Sequence, residues 1–261
     1  MKNNIDINQV FLYLTQKTTS SMIDPFRKLT LEAKEFGEVF LLYHHKLDYV
    51  PKIIQNEKHF LFTNEVLYER NYFPIGFSLI PGNNHFPLLK FYLEYPDYDY
   101  YWCIEDDVRF SGDWGNLFSC FSEVSADFIS SHIQRATLVP NWLWWDTLAH
   151  PYKVIPFEER IRSFNPIYRI SNEALQLVHK ALQNKWCGHH EVLFPSLIYQ
   201  AELEILDFGG KGEFVAPGFG NRFYTEEKDD DHRILKGTLR WRPTYSETGK
   251  ISDKLYHPVK D

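Results

Sequence analysis

Tyr100-Tyr101-Trp102-Cys103-Ile104-Glu105-Asp106-Asp107 is the stretch that decides the reading: an aromatic and apolar run leads directly into three acids. The run reads as a buried strand. Three adjacent carboxylates at its end repel one another, and desolvation worsens the repulsion. A bound Mn²⁺ or Mg²⁺ removes that penalty. Such hard cations take oxygen ligands, and magnesium-type sites use one or two carboxylates together with substrate phosphates. Residues i and i+2 share a face of an extended chain, so Glu105 and Asp107 are expected to point together while Asp106 points away. The plain alternative is an acidic strand end with its carboxylates in water.

Upstream, Val10 to Leu14, Val39 to Tyr43 and His59 to Thr63 are further short apolar runs, expected as strands. Helical spacing of Phe26, Leu29, Ala33 and Phe36 predicts a helix over Ser20 to Phe36, and Phe86 to Tyr95 reads as a second, shorter one. Strands alternating with helices predict an α/β fold with a Rossmann-type, mostly parallel sheet flanked by helices. Ligands of such sheets bind beyond the carboxyl ends of the strands. Thr15, Lys17 and above all Glu105 to Asp107 occupy those positions.

Downstream, Ser171 to Gln183 is predicted as a helix capped by Ser171, and Glu191 to Tyr199 as another despite Pro195. Ala136 to Tyr152 reads as a tryptophan-rich loop. The Gly-, Pro- and charge-rich segment from Gly209 onward is expected to wrap the site rather than build the core, with Glu226 to Asp231 as a solvated acidic loop.

The 261 residues fit one large domain able to bury an ordinary core. A formal net charge of −7 argues against a nucleic-acid partner, which would need a basic excess. Cys103, Cys120 and Cys187 lack paired or zinc-type spacing and suit a reducing compartment. Asn71 to Leu89 contains no Asp, Glu, Lys or Arg, but its prolines and glycines make it a poor lipid-facing helix. The protein therefore reads as soluble and cytoplasmic. No dinucleotide fingerprint, P-loop or nucleophile elbow appears.

The stretch from Tyr100 to Trp114, YYWCIEDDVRFSGDW, resembles the metal-binding strand end of GT-A glycosyltransferases, whose Asp-x-Asp motif often occurs as Glu-Asp-Asp. The chain is also similar to a bacterial family of glycosyltransferase-like proteins through PGNNHFPLL (81–89), FNPIYRISNEAL (164–175), GHHEVLFPSL (188–197) and LYHPVK (255–260). The resemblance implies a single GT-A-like domain. About residues 8–115 would hold a nucleoside diphosphate sugar, and about 116–261 would form the acceptor side. Asp107 would be the direct metal ligand, Glu105 would act through water or the donor, and a late histidine, His257, would complete the site. Lys260 would neutralise the diphosphate.

Glu191, after a glycine-containing turn and opening a helix, is the expected base of an inverting reaction, kept ionised by the positive helix end. Thr15, Lys17, Asp106 and Asn83, the last with Asn84 and His85 beside it, are expected on the donor side, although turns need such residues in any case. Arg109 is expected to pair with Asp107 or touch phosphate. Trp144, Trp145, Asp146 and His190 are expected to contact the acceptor, although loop tryptophans are also routinely buried.

The function these readings imply is transfer of a sugar to a glycan or lipid-linked acceptor, in bacterial surface polysaccharide synthesis, with Mn²⁺ or Mg²⁺ as cofactor. Contact with the inner face of the membrane would accompany a lipid-linked acceptor. The rivals are a nucleotidyltransferase-like metal enzyme, disfavoured because Leu14 to Thr19 contains no glycine, and a non-catalytic carbohydrate-binding module on a transferase fold.

Overall fold

Alternation along the buried strands organises the protein into three layers. In the computed structural model, which describes residues 7–46, 49–227 and 233–260, Gln9–Thr15 forms β1. Its Val10 and Leu12 enter one hydrophobic core while Phe11 and Tyr13 enter another. Successive side chains of a strand face opposite ways, so a continuous apolar run supplies both cores at once. Helix α1 (Ser20–Ala33) follows, then β2 (Glu38–His44), β3 (His59–Phe62), α2 (His85–Glu94) and β4 (Tyr100–Glu105). After the short β5 (Arg109–Phe110) come α3 (Trp114–Phe121), β6 (Phe128–Arg135), β7 (Ile161–Ser171), α4 (Asn172–Gln183), α5 (His190–Gln200), β8 (Ile205–Asp207) and β9 (Leu255–Tyr256).

Seven strands make one sheet in the order β3-β2-β1-β4-β7-β6-β8. Only β7 runs antiparallel to its neighbours, so the sheet is mixed and mostly parallel. Helices α2, α4 and α5 cover one face, and α1 and α3 the other. The expected α/β architecture is the one observed. The expected helices end within a few residues of their predicted limits, whereas α3, β6 and β7 are not foreshadowed by any run or spacing noted in the sequence.

The C-terminal third departs from expectation. Phe223, Tyr224, Leu239 and Leu255 are fully buried in the core beneath α1 and α3, so this segment builds core as well as wrapping the site. Residues 228–231 of the acidic run lie outside the described residues. Among the described residues, no helix is long and apolar enough to cross a membrane.

The direction in which strands are added to the sheet reverses between β1 and β4. From β1 the chain steps outward through β2 to β3, then crosses back to β4 on the opposite side of β1. Such a switch point leaves a crevice at the carboxyl ends of the two strands. The register sets Leu14 beside Glu105, so Thr15 to Lys17 and Glu105 to Asp107 line the same crevice.

Candidate active site

The acids occupy the turn that ends β4. The Asp106 amide donates to the Leu14 carbonyl at 3.1 Å and the Val108 amide to the Glu105 carbonyl at 3.0 Å, which fixes the backbone of the triplet. Asp106 turns to β1, accepting from Thr15 Oγ1 at 2.5 Å and Lys17 Nζ at 2.7 Å. Arg109 pairs with no carboxylate of the triplet. Its guanidinium donates to the carbonyls of Asp106, Val108 and Ser21, so it clamps the turn and corrects the expected ion pair with Asp107.

Glu105 and Asp107 meet His257, which the pairing of β5 with β9 carries back to the β4 end. The Val259 amide donates to the Asp107 carbonyl at 2.8 Å and holds the returning strand in place. One ligand atom from each of Glu105, Asp107 and His257 lies within 4.8 Å of the others. His257 Nε2 is 3.2 Å from Asp107 and 3.8 Å from Glu105, and Lys260 Nζ is 3.4 Å from Asp107.

Two observations show that this set fits a divalent cation. Asp107 Oδ1 is buried and receives no well-directed hydrogen bond despite the nearby imidazole. His257 Nδ1 lies 2.7 Å from the Arg240 carbonyl, and a carbonyl only accepts, so Nδ1 carries the proton. Nε2 then holds the lone pair when the ring is neutral, the tautomer a ligating histidine needs.

Electrostatics follow from burial and crowding. Burial, then the charge of Asp107, pushes Glu105 up. Burial works against the charge on Asp107 too, but His257, Lys260 and Lys17 outweigh it and hold that carboxyl low. Burial alone would lower His257; the two carboxylates outweigh it and raise the imidazole.

A cavity of about 450 Å³ opens beside this cluster, within the range of small-molecule sites. Thr15, Lys17, Asp106 and Lys260 line it, as does Asn84, whose amide donates to Glu105 at 2.9 Å. Asn83 does not. It is fully buried, and its amide bonds the Ile75 amide and carbonyl and the Ser78 carbonyl, so it ties the loop beneath the cavity wall. His85 is buried as well. Gly82 in the same turn has φ +93, and a Cβ there would collide with Ile75 and the His189 ring.

Glu191 opens α5 with its side chain only 15% exposed. Its Oε1 accepts from the Asn165 amide at 3.1 Å, and His189 caps the helix by accepting from the Glu191 amide. The expected helix-end effect is overridden: burial is the largest influence, the charge of Glu105 adds to it, and the carboxyl is pushed up to about 7.

The expected acceptor residues separate. Trp145 is buried with its Nε1 donating to the Val139 carbonyl, which makes it a core residue. His190 is also buried, beside Asn165 and against His85. Asp146 extends into solvent with Arg160 no nearer than 4.0 Å. Trp144 keeps a partly open ring, stacked on His189 at 4.8 Å, and Trp142 of the same loop is likewise half-buried.

A family described as a protein of unknown function (DUF3405) matches residues 76–131, from the Gly76 loop through β4 and its acids into β6. No curated protein matches the chain. Among solved structures, the chain is similar to a glycosyltransferase involved in the glycosylation of the major capsid of PBCV-1, at 8% identity and a TM-score of 0.35. That match covers 68% of this chain and 65% of the other. It is also similar to 4-diphosphocytidyl-2C-methyl-D-erythritol synthase from Anaerococcus prevotii, at 8% identity and a TM-score of 0.47. Here 80% of this chain and 92% of the other are covered.

Proposed function

We propose that the protein is a metal-dependent glycosyltransferase that moves a sugar from a nucleoside diphosphate sugar to a hydroxyl of a glycan or lipid-linked acceptor. The observation that carries this reading is the convergence of Glu105, Asp107 and His257 at the switch point of the sheet, beside a cavity edged by Lys17 and Lys260. Mn²⁺ or Mg²⁺ held by these three residues would supply neutralising charge to the donor diphosphate.

The chain's own groups supply the rest. Lys17, braced by Asp106, and Lys260, braced by Asp107, place two ammonium groups at the cavity edge to bind the diphosphate. Asn84 orients Glu105. Glu191, with a carboxyl poised near neutrality, takes the acceptor proton. The bond from the anomeric carbon to the diphosphate oxygen breaks, that carbon bonds the acceptor oxygen, and the proton passes to the Glu191 carboxylate. Attack from the face opposite the leaving group makes the reaction inverting. The half before about residue 115 would hold the donor and the half after it the acceptor.

Nucleoside diphosphates should raise the melting temperature in the presence of Mn²⁺ and much less in its absence, and Asp107→Ala should abolish the Mn²⁺-dependent part. An equal shift in Asp107→Ala would contradict the assignment. Turnover of a nucleotide sugar should release nucleoside diphosphate, whereas release of pyrophosphate from a nucleoside triphosphate would point to nucleotidyl transfer.

A further inference from the structure

A second cavity, of about 420 Å³, lies beside the β6–β7 pair, and Arg162 of β7 and Gln134 of β6 line it. The strand pairing beside it is irregular. The register between β6 and β7 shifts between Ile129 and Ser131 and again between Ser131 and Gln134. Bulges of this kind re-aim side chains next to binding sites. His132, within the second shift, sits at φ +48, and its ring is fixed against the Leu239 carbonyl at 2.8 Å.

The wall group is Arg162, 2% exposed. Its guanidinium donates to Gln134 Oε1 and lies under the ring of Trp142, 5.5 Å from the centroid. Glu191 is tied to the strand that carries Arg162: its Oε1 accepts from the Asn165 amide at 3.1 Å and its carbonyl from Ser163 Oγ at 3.5 Å. The strand that walls the second cavity therefore also positions the proposed base.

The lining chemistry discriminates between ligands. Three cations, Arg135, Arg162 and Lys211, are matched by three acids, Glu213, Glu226 and Glu227, among the described residues. Arg135 is already forked onto Glu213, with contacts of 2.8 and 2.5 Å. Glu226 accepts from the Lys211 amide at 2.9 Å. Among the described lining residues the formal charges balance, which leaves no cationic excess to favour a phosphate. Alternating donors and acceptors suit hydroxyl groups, which donate and accept at once, and Phe214 and Ile234 offer apolar surface for sugar C–H groups.

We propose that this second cavity binds the acceptor, and that it takes an uncharged, hydroxyl-rich carbohydrate rather than a phosphorylated sugar or a lipid diphosphate. The proposal rests on the transferase reading and narrows its acceptor class.

The test is saturation-transfer NMR on the full chain. The neutral probes are lactose, cellobiose and N-acetylglucosamine, and the charged ones are glucose 1-phosphate and N-acetylglucosamine 1-phosphate. Each is measured with Mg²⁺ and with or without saturating uridine or guanosine diphosphate. A neutral sugar should receive saturation, and nucleotide should not displace it. Ile234→Trp, which fills the cavity, and Glu226→Gln should each weaken binding at least tenfold. The Mn²⁺-dependent thermal shift with nucleoside diphosphate should stay unchanged in both variants, which also certifies their fold.

Preferential binding of the phosphorylated sugars, displacement by nucleotide, an unchanged signal in Ile234→Trp, or no binding of any neutral probe would each overturn the proposal. Cavity-dependent sugar binding in a protein that shows no nucleotide-dependent shift would uphold a carbohydrate site and overturn its role as acceptor site, which separates failure of the inference from failure of the transferase reading.

Discussion

Glu191 joins chemistry to burial most directly. Its carboxyl is pushed up to about 7, and a group with that value exchanges a proton at neutral pH. In its proposed role as base it must be ionised, so transfer should rise with pH through about 7 and then level. Glu191→Gln should lower kcat by about 10²–10⁴-fold with donor binding retained. Stability runs the other way. A carboxyl whose folded value lies above its ordinary 4.5 supports folding below that value, and the support is lost as pH rises through about 7. Glu191→Gln should therefore be more stable than the wild type above pH 7. The gain should reach up to about 3 kcal/mol, since raising a pKa tenfold in proton affinity corresponds to roughly 1.4 kcal/mol. Denaturant melts at pH 5 and pH 8 check the sign, and equal stabilities at pH 8 would contradict it.

At this scale the sequence identifies residue types better than residue positions. Asn83 and Asn84 are indistinguishable in a turn-rich string, and only the turn's geometry sends one amide inward to its own loop and the other to Glu105. Trp144 and Trp145 divide in the same way between a partly open ring and the core. His257 stood out only through the family resemblance, because nothing local announces that β9 will pair with β5.

Among the strands, β1 to β4 are legible as apolar runs, whereas β6 and β7 are not. β1, β2 and β4 are apolar on both faces because both faces are covered, so each appears as an unbroken run. β7 is buried along its whole length yet carries Arg162, Asn165 and Arg169. Their partners come from far along the chain: Arg169 donates through its terminal nitrogens to the carbonyls of Phe121, Val124 and Ala126, and Asn165 accepts from Ser130. No window of local sequence contains those partners. The polar Ser130-Ser131-His132 run conceals β6 for the same reason, with Ser130 and Ser131 both bonding the Phe164 carbonyl.

Caps, by contrast, are local and readable. Ser171 accepts from the Ala174 amide at 3.0 Å, as its position before α4 predicts. Ser171→Ala should cost about 1 kcal/mol in thermal or denaturant melts, at the usual value for such a cap. Its hydroxyl also donates to Asp127, which biases the loss upward. The Mn²⁺-dependent nucleotide shift should persist, since α4 contributes no residue to the metal cluster; its disappearance in a folded variant would tie α4 to the site.

Across the whole molecule, the reversal of strand order between β1 and β4 and the return of β9 place two mutually repelling carboxylates and an imidazole in one crevice. Glu105 and His257 both hold protons more tightly there than they would in isolation. A cation must displace those protons, so its affinity should climb as pH rises from about 6 to 8, and its binding should stabilise the fold in proportion to occupancy. Titration calorimetry with Mn²⁺ at several pH values reads the expected direction. Affinity that falls over this range would mean that other groups hold the ion.

The most direct measurement is electron paramagnetic resonance of Mn²⁺ titrated into the protein with nucleoside diphosphate present. The wild type should remove the free-ion signal at a ratio of one ion per chain, while Asp107→Ala and His257→Ala, checked for folding, should each leave most of it. Undiminished binding in both variants would contradict the claim that Glu105, Asp107 and His257 form a metal centre.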